Sequence, residues 1–149
     1  MASRTIHASA VLVGARAVLI EGLAGAGKSR LVLGLLQAAD AGSLPFARLV
    51  ADDRAHIEAM HGRLLVRPAD ELAGLLEVRG LGIRRLPFEP VAVVGLAVEL
   101  GVPEAERLPQ PQARETVIAG VRLPRLAVAP CVDPLPLVLA ALQTVDFAS

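Results

Sequence analysis

An α/β fold built around a phosphate-binding loop is what the sequence predicts, on three consecutive observations. Ala17–Ile20 is a short apolar segment of strand type, Gly22-Leu23-Ala24-Gly25-Ala26-Gly27-Lys28-Ser29 is glycine-rich, and Leu31, Val32, Leu35, Leu36 and Ala39 recur at helical spacing. A strand that runs through glycines into a helix is the context in which this motif carries chemistry.

The elements follow in order. Ala10–Val13 and Ala17–Ile20 flank Gly14-Ala15-Arg16 with the spacing of a β-hairpin. The helix begins at Lys28, with Gly42 as its stop, and Ala47–Ala51 is a strand that ends in Asp52-Asp53. Strand, loop, helix and strand together predict a parallel crossover. His56 and His61 fall in a polar stretch that reads as loop, and Arg63–Val66 as a further strand. Asp70–Leu76 reads as a short helix or turn, and Arg79-Gly80-Leu81-Gly82 as a tight loop. Val91–Leu100 is the longest strand candidate, and Pro103, Pro109 and Pro111 mark an exposed connection over 101–112. Glu115–Val128 offers two strands around Gly120, and Pro134–Val145 a closing helix with prolines in its first turn.

Composition narrows the class. At 149 residues, one domain over residues 1–149 is expected. Formal charge is zero and the arginines are dispersed, which excludes the basic patch of a nucleic-acid binder. The single Cys131 forms no internal disulfide, no apolar run reaches the roughly 18 residues of a membrane span, and a cytoplasmic protein is expected. With no Trp or Tyr, any bound base must lie on aliphatic or guanidinium surfaces.

Fourteen cations are arginine and one, Lys28, is lysine. An ammonium on a flexible stem is a compact charge that reaches between the β- and γ-phosphates of a nucleotide, whereas the planar guanidinium prefers two acceptors at fixed spacing. Glycines 22, 25 and 27 let backbone N–H groups turn toward a polyphosphate at a helix N-terminus, and Ser29 offers a hydroxyl to Mg²⁺. Asp52 and Asp53 end a strand beside this loop, one suited to the metal and the other to a proton, although an acidic turn has the same sequence. His7 either relays a proton for a carboxylate or is an exposed side chain near the terminus, and the residues alone favour the second. Glu77 and Arg79 either pair with each other or contribute a carboxylate to the metal and a guanidinium to phosphate.

Together these stretches resemble the catalytic domain of HPr kinase/phosphorylase, which phosphorylates a serine of the phosphocarrier HPr. The likeness lies in Ile6-His7-Ala8-Ser9, Gly22–Ser29, Leu49-Val50-Ala51-Asp52-Asp53-Arg54 and, above all, Leu76-Glu77-Val78-Arg79-Gly80-Leu81-Gly82-Ile83. It covers the chain well from His7 to about Leu100. The resemblance implies a P-loop α/β kinase domain of the HPr kinase/phosphoenolpyruvate carboxykinase type with a mixed sheet, and an ATP- and Mg²⁺-dependent protein serine kinase acting on an HPr-like carrier. It implies that Gly22, Leu23, Ala24, Gly25, Ala26, Gly27, Lys28, Ser29 and Arg30 hold the nucleotide. Ser29, Asp52 and Glu77 would surround the metal, Asp53, Asp52 and His7 handle the serine proton, with Asp53 the base, and Arg79 assist.

Departures accompany the likeness. Few residues precede His7, as in the short form of the family. Leu23 and Ala24 stand where proline and serine are usual. The family's later loop, a proline, a glycine and an arginine followed by asparagine, is replaced by Ala129-Pro130-Cys131-Val132-Asp133. In the long form that loop is linked to the reverse, phosphorylase reaction and to homo-oligomer contacts. The rival reading is a nucleotide-sensing binding module without turnover, and Arg84, Arg85 and Phe88 form either a partner-facing patch or an ordinary surface loop.

Overall fold

A computed structural model describes residues 3–145. The hairpin is present as β2 (Ala8–Val13) and β3 (Arg16–Glu21), preceded by β1 (Ser3–Ile6). After the loop comes α1 (Lys28–Asp40), then β4 (Ala47–Ala51). Gly42 ends α1 as expected: at φ 86° it lets its own N–H reach Ala39 O at 3.0 Å and the Ser43 N–H reach Ala38 O at 2.8 Å, closing the helix's last carbonyls.

Next are β5 (Ala55–Met60), β6 (Arg63–Pro68), a 3₁₀ turn at Asp70–Leu72, and the hairpin β7 (Leu75–Val78) and β8 (Gly82–Arg85). The long β9 (Ala92–Leu100), a second 3₁₀ turn (Pro111–Arg114), β10 (Glu115–Ile118), β11 (Val121–Val128) and α2 (Pro134–Gln143) complete the order. No helix among the described residues is long and apolar enough to cross a membrane.

The large sheet is mixed, in the order β1-β5-β6-β9-β3-β2-β4, with β11 also paired to β9 and β10 to β11. β9 is long enough to pair with β6 at Ala92–Val93 and with β11 at Ala97–Leu100, which curls the sheet. β3, β9 and β11 run parallel, so their C-terminal ends share one edge, where the glycine-rich loop leaves β3. Ligands of α/β sheets collect at such an edge.

Two expectations are corrected. The crossover from β3 through α1 to β4 is parallel in direction, but the antiparallel β2 lies between those strands and pairs with both. His56 is in no polar loop: it sits in β5, whose alternate residues Ala55 and Ile57 are buried, and His61 is in the turn to β6.

One core layer lies between α1, α2 and the sheet, built on Val18, Ile20, Leu31, Leu35, Val98 and Val138. The other lies inside the curl on Leu19, Ile57, Leu64, Val66 and Ala97. β3 feeds both layers by alternation, which anchors the loop that follows it.

Candidate active site

The loop from Gly22 to Gly27 divides its glycines by task. Gly25 (φ 84°) and Gly27 (φ 102°) adopt the left-handed conformation, with open space where a Cβ would stand. Gly22 is needed for packing instead, because a Cβ there would lie 3.1 Å from Ala26 Cβ and 3.2 Å from Leu100 Cβ. Gly27 is the N-cap of α1 and no side chain caps the helix. Its first amides, with the positive end of the helix dipole, are therefore presented to the loop.

Lys28 is 7% exposed, and its ammonium donates to the loop's own carbonyls, Gly22 O at 2.8 Å and Leu23 O at 3.3 Å. Beside it, Ala24, Gly25, Gly27, Lys28, Ser29 and Arg30 form one wall of a cavity of about 580 Å³, with Asp53, Glu77 and Arg79 facing them. Of the residues expected to hold nucleotide, Gly22, Leu23 and Ala26 do not line this cavity. Gly22 and Leu23 present carbonyls to Lys28, and Ala26 lines a neighbouring groove.

Asp52 is the centre of a hydrogen-bond cluster. Ser29 Oγ donates to it, 2.7 Å from Oδ1 and 2.9 Å from Oδ2; Ser9 Oγ donates to Oδ1 at 2.8 Å, and the Glu77 N–H to Oδ2 at 3.3 Å. Ser9 also accepts the Asp53 N–H at 3.0 Å, while Asp53 stands at φ 67°, a left-handed conformation that aspartate tolerates. The cause is register: Ala10 is opposite Ala51, which brings Ser9 opposite Asp52. Sequence reasoning assigned Ser9 no role. The buried hydroxyl could be recognised only after the pairing of β2 with β4 was known.

The acid pair is thereby split. Asp52 is buried and fully engaged by donors, whereas Asp53 is exposed on the cavity wall. Glu77 and Arg79 both reach the cavity, from β7 and the turn after it, and form no ion pair with each other among the described residues. His7 lies in the bend between β1 and β2, exposed and outside the cavity lining; the pairing of Ala8 with Glu21 puts it at the sheet edge from which the loop departs.

On the opposite side of β3 from α1, Glu21 is paired in register with Glu99, and Arg125 grips Glu99 with two nitrogens at 2.8 and 3.0 Å. Burial, reinforced by the Glu99 charge and eased by Arg4, raises the Glu21 pKa above the ordinary carboxylate range. The Arg125 guanidinium is held more firmly protonated by its hydrogen bonds to Glu99.

The profile of the HPr Serine kinase C-terminal domain matches residues 1–86, the stretch that supplies every wall of this cavity. The chain belongs to that family. Within it, 85 residues of this kinase-family chain are 41% identical to the HPr kinase/phosphorylase of Streptococcus thermophilus, covering 56% of this chain and 25% of that protein. The corresponding protein of Clostridium tetani is 38% identical over 82 residues, 55% of this chain and 25% of the relative. The matched part thus spans about a quarter of the length of those relatives. A solved structure, the Hpr(Ser) kinase/phosphatase from Coxiella burnetii, superimposes with a TM-score of 0.75 at 26% identity, covering 94% of both chains. The expected fold, a mixed-sheet kinase domain of this type, is the one observed.

Cys131 adopts φ 64°, a conformation glycine prefers, and Asp133 caps α2 by accepting the Leu135 N–H at 3.1 Å, as asparagine would.

Proposed function

We propose that this chain transfers the γ-phosphoryl group of ATP to a serine of an HPr-like phosphocarrier. The observation that carries the proposal is the split acid pair: one carboxylate bonded to the phosphate-loop serine, the next free on the wall of the same cavity.

In this reading, Lys28 leaves the carbonyls of Gly22 and Leu23 for the β- and γ-phosphate oxygens, and the loop amides and the start of α1 hold the remaining charge. Asp53 accepts the proton of the incoming serine hydroxyl as the serine oxygen bonds to the γ-phosphorus and the bond to the β-phosphate oxygen breaks, leaving ADP. Arg79 faces the phosphate charge. The oxygen donors of Ser29 and Asp52, with Glu77 nearby, suit Mg²⁺, which takes one or two protein ligands and fills its shell from phosphates and water. Bound Mg²⁺ supplies neutralisation of the phosphate charge. In the same reading His7, exposed at the loop edge of the sheet, assists with the serine proton from the acceptor's side.

Leu81, Ile83, Arg84 and Arg85 are all exposed on the β7–β8 hairpin beside Arg79, which supports that hairpin as the carrier's docking face. Purified chain, Mg²⁺ and ATP with the HPr-like carrier of the same organism should give a carrier heavier by one phosphate on serine, and Lys28→Ala should abolish it. A carrier that stays unmodified while ATP binds tightly would favour the nucleotide-sensing module.

A further inference from the structure

A second cavity, of about 230 Å³, adjoins the phosphate loop on the side away from Asp53. Its floor is Gly25 and Ala26 of the loop, and Leu100, Val128, Pro130 and Val132 wall it at the C-terminal ends of β9 and β11. Gly25 lines both cavities, so the two lie on either side of the same loop residue. No residue that ionises at neutral pH lines the groove.

The order of the sheet gives the groove a direction. β4, which carries Asp53, lies beyond β2 on one side of β3; β9 and β11 lie on the other. A triphosphate laid across the loop with its reacting end toward Asp53 and Glu77 has its α-phosphate, and whatever is esterified to it, at the β9–β11 side. There it meets an uncharged slot walled by the aliphatic side chains of Leu100, Val128 and Val132 and by main-chain polar groups, in a chain that has no Trp or Tyr to receive a flat ring.

We infer that this groove holds the heterocyclic base of the nucleotide, between Leu100 and Val128 on one side and Pro130 and Val132 on the other. The inference deepens the kinase reading, since it takes the reacting end from that reading.

Cys131, the chain's single cysteine, is exposed and lines the groove, so its alkylation reports occupancy. With Mg²⁺ present, saturating ATP should slow alkylation of Cys131 by N-ethylmaleimide severalfold, since a base seated in the groove shields the thiol that lines it. Saturating inorganic tripolyphosphate, which fills the loop and carries no base, should leave the rate unchanged. In the converse arm, protein alkylated at Cys131 should lose affinity for ATP and keep it for tripolyphosphate. Equal protection by the two ligands, ATP that binds without protecting, or no ATP binding at all overturns the inference. The footprint needs binding and no turnover, so protection without phosphoryl transfer upholds the groove while refuting the kinase, and transfer without protection does the reverse.

Discussion

Replacing Ser9 by alanine removes one oxygen from a fully buried position and should damage both stability and turnover. The Asp53 N–H, 3.0 Å from the buried Ser9 Oγ in a part-buried bond, loses its acceptor, and a donor left unpaired in this way costs about 1–3 kcal/mol. Asp52 loses a donor at 2.8 Å but keeps Ser29 and the Glu77 amide, so its share is at the low end, about 1 kcal/mol. The sum, about 2–4 kcal/mol, corresponds to a melting temperature lower by roughly 5–15 °C for a domain of this size. Asp53 then no longer has the bond that holds it at φ 67°, and a displacement on the order of 1 Å of a catalytic group costs about a hundredfold in rate. Thermal unfolding followed by circular dichroism gives the first quantity, and carrier phosphorylation at saturating ATP the second. An alanine variant that melts with the wild type and phosphorylates at the wild-type rate would refute the reasoning.

Asp53→Asn should lower kcat by about 10²–10⁴-fold while ATP affinity by calorimetry stays unchanged, because asparagine tolerates the same left-handed backbone but accepts no proton. Gly22→Ala sets a Cβ 3.1 Å from one stiff neighbour and 3.2 Å from another, so the loop must shift; a cost of about 1–3 kcal/mol is expected in denaturant unfolding, with weaker ATP binding. Glu21→Gln tests the half-buried acid pair of Glu21 and Glu99. Because the folded-state pKa of Glu21 is raised, the native state binds its proton more tightly than the unfolded chain does, and stability falls as pH rises from the unfolded carboxylate value through the raised one. The glutamine variant should therefore melt higher than wild type at pH 7, with a difference that shrinks as the pH approaches that of an ordinary carboxylate.

The glycine-rich loop and α1 were legible because everything that specifies them is contiguous: an apolar strand, glycines at the turning points, and a helical stripe from Leu31 to Ala39. The tight loop at Arg79-Gly80-Leu81-Gly82 was legible for the same reason, whereas the strands β7 and β8 that it joins were not. What escaped was non-local. The antiparallel insertion of β2 between β3 and β4, and the pairing of β9 with both β6 and β11, depend on contacts far apart in the chain. Ser9 belongs to that class, since its position 2.8 Å from Asp52 follows from a cross-strand register. β5 was hidden by composition: Ala55 and Ile57 alternate with His56 and Glu58 as a half-buried strand should, yet short, polar-rich alternation also reads as loop. The environments of Asp52 and Asp53, one buried among donors and the other exposed, separated only in the structure.

The most direct test of the central claim is a crystal structure of the chain with Mg²⁺ and a non-hydrolysable ATP analogue. The account predicts phosphates cradled between Gly25 and Ser29, Lys28 Nζ moved from the carbonyls of Gly22 and Leu23 onto phosphate oxygens, and the γ-phosphate facing Asp53. A nucleotide bound elsewhere, or a Lys28 still bonded to its own loop with phosphate in place, would contradict it.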